Sequence, residues 1–172
     1  RCIPLISHIQ TLRHLPVFAG NSSQIAFIKD TFSNVDVIHL EGYNITYSKW
    51  NKYAQIGLLS QLPGIQRSIN TEHRWLQQLV TQRKIDGVIS DNRYGLFHSK
   101  IPSVILTHQL CVQTGLGTFA DRSIQKVHYR YLNNFNNTWI VDTPGTPNLA
   151  GNLSHTNQLP ANTGHIGLLS RF

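Results

Sequence analysis

The sequence predicts an α/β protein with an open, mostly parallel sheet and helices on both faces. Short apolar runs of strand length alternate with segments whose apolar residues recur at helical spacing, which is typical of βαβ units. Two of these runs end directly in clusters of polar side chains. The length of 172 residues, with 40% hydrophobic and 13% charged residues, suits one core and excludes a disordered chain.

The N-terminal part contains two predicted helices and two predicted strands. Apolar residues recur at helical spacing from the start of the chain, so it begins inside a helix. A strand is predicted at Leu15–Ala19, closed by Gly20. Ser22 or Ser23 then caps a second helix, and Val35–Leu40 is the next strand.

The hydrophobic pattern of the chain becomes irregular before Pro63. Residues 41–63 show no sustained period, and their aromatics, Tyr43, Tyr47, Trp50 and Tyr53, are interpreted as side chains that pin a loop to the core, with a ligand-stacking surface as the alternative. An amphipathic helix follows Pro63-Gly64 and ends near Lys84. Strands at 87–89 and 102–106, a helix over 119–135 and a strand at 138–141 complete the alternation.

Proline and glycine recur from Asp142 onward, as they do in loops and at domain boundaries. The sequence therefore predicts one α/β domain over residues 1–142 and a linker over residues 143–172.

The formal charge of +7 and the pI near 9.7 favour a polyanionic partner. Because the basic residues are scattered singly and match no nucleic-acid-binding module, nucleic acid is disfavoured and weak contact with an anionic membrane is preferred. No apolar run reaches the roughly 18 residues of a membrane span, and the N-terminus lacks a signal pattern. The expected location is cytoplasmic, with peripheral contact at the inner membrane face.

Candidate site residues follow the strands at 87–89 and 102–106. In an open parallel sheet, ligands bind beyond the carboxyl ends of the strands, so the two polar clusters form one wall of a predicted pocket. The first cluster is Ser90, Asp91, Asn92, Arg93 and Tyr94, and the second is Thr107, His108 and Gln109.

Each of these side chains has a chemical and a structural interpretation. Asp91 could accept or orient the proton of a sugar hydroxyl, or it could cap the following turn. Arg93 could clamp a phosphate or carboxylate in bidentate fashion, or share the capping role. His108 could act as acid, base or phosphate donor, or as a hydrogen-bonded structural residue.

Other chemistries lack their sequence signatures. Neither the nine histidines nor Cys2 and Cys111 show metal-ligand spacing, so no metal site is predicted. The chain contains no G-x-S-x-G turn and no complete phosphate-binding loop, since Gly115-Leu116-Gly117 alone is weak evidence.

Six blocks of the chain are informative when they are taken together. They are Arg1-Cys2-Ile3-Pro4-Leu5-Ile6, Ile89-Ser90-Asp91-Asn92-Arg93-Tyr94-Gly95, Ile101–Leu110, Trp139-Ile140-Val141-Asp142, Asn148–His155 and His165–Phe172. These blocks resemble an uncharacterised bacterial group of glycosyltransferases. That group is more distantly similar to the lipid-linked N-acetylglucosaminyltransferase of peptidoglycan synthesis, which has the two-domain GT-B fold.

The resemblance implies a Rossmann-like N-terminal half of a GT-B enzyme, which holds the acceptor, while a missing C-terminal domain grips the nucleotide-sugar donor. It also implies a glycine-rich loop, ending in a histidine that competes for the role of general base, just upstream of Arg1. The matching site positions are Asp91–Gly95 and Thr107–Gln109.

The sequence thus leads to the hypothesis of a glycosyltransferase domain that moves a sugar from a nucleotide-sugar co-substrate to a carbohydrate or lipid-linked hydroxyl acceptor, without a metal or further cofactor. Asp91 and His108 would orient or deprotonate the acceptor. The expected substrate-binding residues are Ser90, Asn92, Arg93, Tyr94, Gly95, Thr107 and Gln109. The alternative is a non-catalytic α/β ligand-binding or sensor domain that uses the same pocket.

Overall fold

The structure, a computed structural model, describes residues 1–42, 62–111, 117–156, 159–160 and 162–170. It is a mixed α/β protein with two small parallel sheets, of two and four strands, and helices around them. The chain divides into two compact units, Arg1–Asn44 with Leu169–Phe172, and Ile45–Leu168. The aromatic residues interpreted as packing a loop, Tyr43, Tyr47, Trp50 and Tyr53, lie outside the described residues.

The first unit alternates helices and strands as the sequence predicts. Its elements are α1 (Cys2–Thr11), β1 (Val17–Gly20), α2 (Ser22–Thr31) and β2 (Asp36–His39). The two strands pair in parallel, with Val17 opposite Asp36. Ile6, Ile28 and Val35 form the buried core of this unit.

The cap of α2 differs from the expected one by a single position. Asn21, not Ser22 or Ser23, is the N-cap residue, and its Oδ1 accepts a hydrogen bond from the Gln24 amide at 3.0 Å. The Gln24 side chain in turn accepts from the Asn21 amide at 3.0 Å, which completes a capping box. Asn and Ser have similar capping preferences, so the glutamine three residues on decides the position.

The second unit carries the predicted site. Its elements are α3 (Leu62–Gln82), β3 (Val88–Asp91), β4 (Ser103–Thr107), α4 (Thr118–Leu132), β5 (Asn137–Ile140), a 3-10 turn (Gly151–Leu153) and β6 (Thr163–His165). The strands are all parallel, in the order β3-β4-β5-β6. Its core contains Ile105, Leu110, Leu132, Phe135 and Ile140.

The two strands that end in polar clusters are neighbours, as expected, with Ile89 opposite Val104. Their burial differs. Ile105 and Leu106 in β4 are fully buried, whereas Ile89 in β3 is 40% exposed. Among the described residues, β3 pairs with β4 only, so it is at the edge of the sheet, where partial exposure of a side chain such as Ile89 is common.

The second unit, Ile45–Leu168, includes most of the segment predicted as a linker, and the role of residues 143–172 as a linker to a further domain stays a prediction. Thr163–His165 forms β6, which pairs with β5 through Ile140 and His165. Proline and glycine mark irregular backbone, and irregular backbone can lie within a domain as well as between domains.

Among the described residues, no helix combines the length and the apolar character needed to cross a bilayer.

Candidate functional site

The polar strand ends meet at the carboxyl edge of the four-stranded sheet. Asp91 is the last residue of β3 and Thr107 the last of β4, and the two strands run parallel in register. The Asn92 amide continues the ladder by donating to the Leu106 carbonyl at 3.0 Å. The two predicted clusters are therefore brought together at the edge where parallel sheets bind their ligands.

Thr107 ties the two clusters to one another. Its side chain is fully buried, and its Oγ1 lies 3.3 Å from Asn92 Oδ1. The same hydroxyl accepts from the Gln109 amide at 3.1 Å and lies 3.2 Å from the Gln109 carbonyl oxygen. Asn92 has a left-handed backbone (φ 56°), a conformation that Asn tolerates better than most residues. The hydrogen bond between Thr107 and Asn92 therefore connects the ends of β3 and β4.

His108 and Gln109 point outward. Both residues are exposed, and the Thr107 hydroxyl is hydrogen-bonded to the Gln109 backbone. Asp91 is half-buried beside them. An imidazole, an amide and a carboxylate at one edge can orient a hydroxyl group and receive its proton.

Three residues of the first cluster, Ser90, Arg93 and Tyr94, and the following Gly95 make contacts inside the unit. The buried Ser90 hydroxyl donates to the Arg93 carbonyl at 2.6 Å. Tyr94 packs against the core, and burial raises the pKa of its phenol to about 12. Arg93 and Gly95 contact α3 through Glu72.

The contact with Glu72 fixes the turn after β3. Arg93 Nε donates to Glu72 Oε1 at 2.6 Å, and the Gly95 amide donates to Glu72 Oε2 at 3.3 Å. Glu72 lies within α3 and is 4% exposed, so its carboxylate supports the turn after β3 and does not belong to a solvated helix face. A ligand phosphate at Arg93 would have to compete with this carboxylate.

A further group of hydrogen-bonded polar residues lies at the same sheet edge, around Asp142, and the sequence did not predict it. Asp142 lies two residues beyond β5 and is fully buried. Its carboxylate accepts from the Ser154 hydroxyl at 2.6 Å and from the amides of Leu149 and Ala150 at 3.0 Å. The Ser154 hydrogen bond, followed by that from Leu149, holds the pKa of Asp142 well below its usual range.

The loop that Asp142 organises is joined to the turn after β4. The amides of Leu110 and Cys111 donate to the Leu153 carbonyl at 2.6 and 3.0 Å. His155 follows, with Nδ1 at 2.8 Å from Ser154 Oγ. The sequence signal for this feature is an acid just beyond a strand, the same signal that singles out Asp91.

Other possible sites are poorer in chemistry. Among the described residues, no group of three or more His, Cys, Asp or Glu side chains could hold a metal ion. A cavity of ≈ 500 Å³ lies in the first unit and includes Leu15, Pro16, Val17 and Asp36 in its lining. These residues lie at the amino ends of β1 and β2, the opposite edge from the one that parallel sheets use for ligands.

Comparisons with protein-family models, with curated proteins and with solved structures returned no match for this chain.

Proposed function

We propose that this chain is the acceptor-binding part of a glycosyltransferase. The carbohydrate or lipid-linked acceptor binds at the carboxyl edge of β3 and β4, and a second domain outside this chain holds most of the nucleotide-sugar donor. The observation that carries the proposal is that exposed His108 and Gln109 lie at the same sheet edge as Asp91, in the blocks that resemble glycosyltransferases.

In the proposed reaction an acceptor hydroxyl attacks the anomeric carbon of the donor sugar. The new carbon–oxygen bond forms as the bond to the nucleoside diphosphate breaks, and the acceptor proton passes to Asp91 or His108. Gln109 and Asn92 hold sugar hydroxyls. Ser90, Arg93, Tyr94, Gly95 and Thr107 keep the turns in place, and their internal contacts support this indirect role.

The test measures release of nucleoside diphosphate by the full-length gene product from a panel of nucleotide sugars, with lipid extracts and simple glycosides as acceptors. Asp91→Asn keeps the shape of the side chain but cannot take a proton, so turnover falls at least about tenfold with an unchanged melting temperature. His108→Ala tests the second candidate, and His8→Ala, an exposed residue of α1, is the matched control.

Normal turnover in both Asp91→Asn and His108→Ala would show that neither residue is the general base. If the whole panel is left unconsumed, the glycosyltransferase proposal fails. The alternative is a non-catalytic ligand-binding domain that uses the same sheet edge. It predicts that ligands raise the melting temperature without being turned over.

A further inference from the structure

Two histidine rings lie close together at the carboxyl edge of β5 and β6. His165 is the last residue of β6, and His155 follows the 3-10 turn. Their ring centroids are 5.2 Å apart, with an angle of 32° between the ring planes. The Nε2 atoms of both rings are inaccessible to solvent and have no hydrogen-bond partner within the described part of the chain. Both residues are only half-buried as a whole, so the pair borders solvent.

The surroundings of His155 determine which of its nitrogens carries the proton. Nδ1 lies 3.1 Å from the Gly151 carbonyl oxygen, which can only accept, so Nδ1 is the donor. Ser154 Oγ, 2.8 Å from Nδ1, accepts from it as well, since the serine hydroxyl donates to Asp142 at 2.6 Å. In neutral His155, therefore, Nε2 carries the free lone pair.

We propose that His155 and His165 bind one divalent transition-metal ion, such as Zn²⁺ or Co²⁺, through their Nε2 atoms. Imidazole nitrogen is a preferred ligand for these ions. Two imidazoles that share a tetrahedral ion at nitrogen–metal distances of about 2.0–2.1 Å hold their ring centres roughly 5 Å apart. The observed separation of 5.2 Å meets this requirement.

The region around His155 resembles the outer shell of a metal site. Metal-binding histidines generally donate their second nitrogen to a carbonyl or carboxylate, which orients the ring and increases its basicity. Here Gly151 and the Ser154–Asp142 chain supply that support. Because the described residues supply only two ligands, water molecules or a small ligand would complete the coordination of the ion.

The experiment is a calorimetric titration of the metal-free chain with ZnCl₂ at pH 7.5, repeated with Co²⁺ and its visible absorption as a second readout. Wild type binds with a dissociation constant below about 1 mM. His155→Ala and His165→Gln each weaken binding at least about tenfold, and Ser154→Ala weakens it by about tenfold through the outer shell.

Two controls separate this pair from other ligands. A variant with both His8 and His14 replaced by Ala removes exposed imidazoles elsewhere and keeps the affinity, as does Cys111→Ser, which removes the thiol nearest the loop. Wild type without binding up to 1 mM overturns the proposal, as does full affinity in His165→Gln. If His155→Ala does not fold, the decision rests on His165→Gln, which keeps a polar side chain on an edge strand.

Discussion

At the scale of single residues, the end of β3 and the turn after it contain side chains with opposite orientations. Asp91 lies at the carboxyl edge of the sheet, whereas Ser90, Arg93 and Tyr94 make contacts inside the unit. Polar residue types alone do not distinguish these cases, because Arg and Tyr both serve in ligand sites and in buried networks. The orientation of each side chain depends on its hydrogen-bonding partner. For Arg93 this partner is Glu72, which is 21 residues away in the sequence.

Removing the Glu72 carboxylate tests this structural role. Its side chain is 5% exposed and that of Arg93 is 17% exposed, so Glu72→Ala leaves the guanidinium without its carboxylate in a poorly solvated place. Breaking a buried ion pair in this way typically costs about 3–5 kcal/mol. Urea unfolding followed by circular dichroism should show a loss of this size.

The matched control is Asp86→Ala, which removes an exposed carboxylate from the loop between α3 and β3. Its effect on the free energy of unfolding should stay within about 0.5 kcal/mol. Equal effects of the two substitutions would mean that the Glu72–Arg93 pair does not hold the turn.

At the scale of elements, the turn after β3 approaches α3 so closely that only glycine fits. A Cβ atom at Gly95 would lie 2.4 Å from the Ile69 carbonyl oxygen and 2.6 Å from Glu72 Cβ. The first of these atoms is helix backbone, which cannot turn away as a side-chain end could. Gly95, which the sequence places among the expected substrate-binding residues, therefore has a packing role.

Gly95→Ala should destabilise the protein, because either α3 or the turn must shift to make room. Overpacking of this kind costs about 1–3 kcal/mol. The change in the urea midpoint measures the loss. Gly145→Ala is the matched control, since a Cβ atom there meets nothing within 4 Å, and its midpoint should be nearly unchanged. A Gly95→Ala midpoint equal to that of wild type would contradict the close approach.

The loop after β5 shows the same dependence on distant partners. Asp142 accepts from amides seven and eight residues further on and from the Ser154 hydroxyl, so one buried carboxylate orders a segment rich in proline and glycine. The composition of this segment predicts a linker, because composition reports backbone irregularity and not the hydrogen bonds that stabilise it.

At the scale of the whole molecule, buried polar groups couple stability to pH. His128 in α4 is buried against Tyr94, with ring centroids 5.7 Å apart in an edge-on arrangement. Burial lowers the pKa of His128 from 6.5 to about 4. The folded protein therefore keeps this imidazole neutral under conditions in which the unfolded chain is protonated.

Stability should decrease as the pH falls from about 6.5 to about 4, because over this window the unfolded state binds the extra proton. Above the window both states are neutral at His128, and below it both are protonated, so this contribution stops changing. The full loss is about 3 kcal/mol, from 1.36 kcal/mol per pKa unit. Urea unfolding at pH 7 and pH 4.5 measures most of it.

His128→Leu removes the titrating group and should show a weaker decrease between the two pH values than wild type. The comparison matters because other groups titrate in the same range. Identical pH dependence in wild type and His128→Leu would show that the buried imidazole does not stay neutral.

The sequence by itself determined the α/β class, the two neighbouring strands and the meeting of their polar ends at one sheet edge. The predicted strands span 87–89 and 102–106, and the structure has them at 88–91 and 103–107. Hydrophobic periodicity depends only on residues close together in the sequence, and the ligand-binding edge is a general property of parallel sheets. Both can therefore be predicted without a structure. The structure was needed to identify Asn21 as the N-cap residue of α2, because Asn21, Ser22 and Ser23 have similar N-cap preferences.

The tertiary structure alone decided that the strands form two sheets, which residues of the polar clusters face inward, and that Asp142, Ser154 and His155 form one hydrogen-bonded chain. Each of these outcomes depends on partners distant in sequence, such as Glu72 for Arg93 and β6 for the edge of the sheet. Whether a polar side chain faces inward depends on whether a distant partner satisfies its hydrogen bonds, because burial without one is costly.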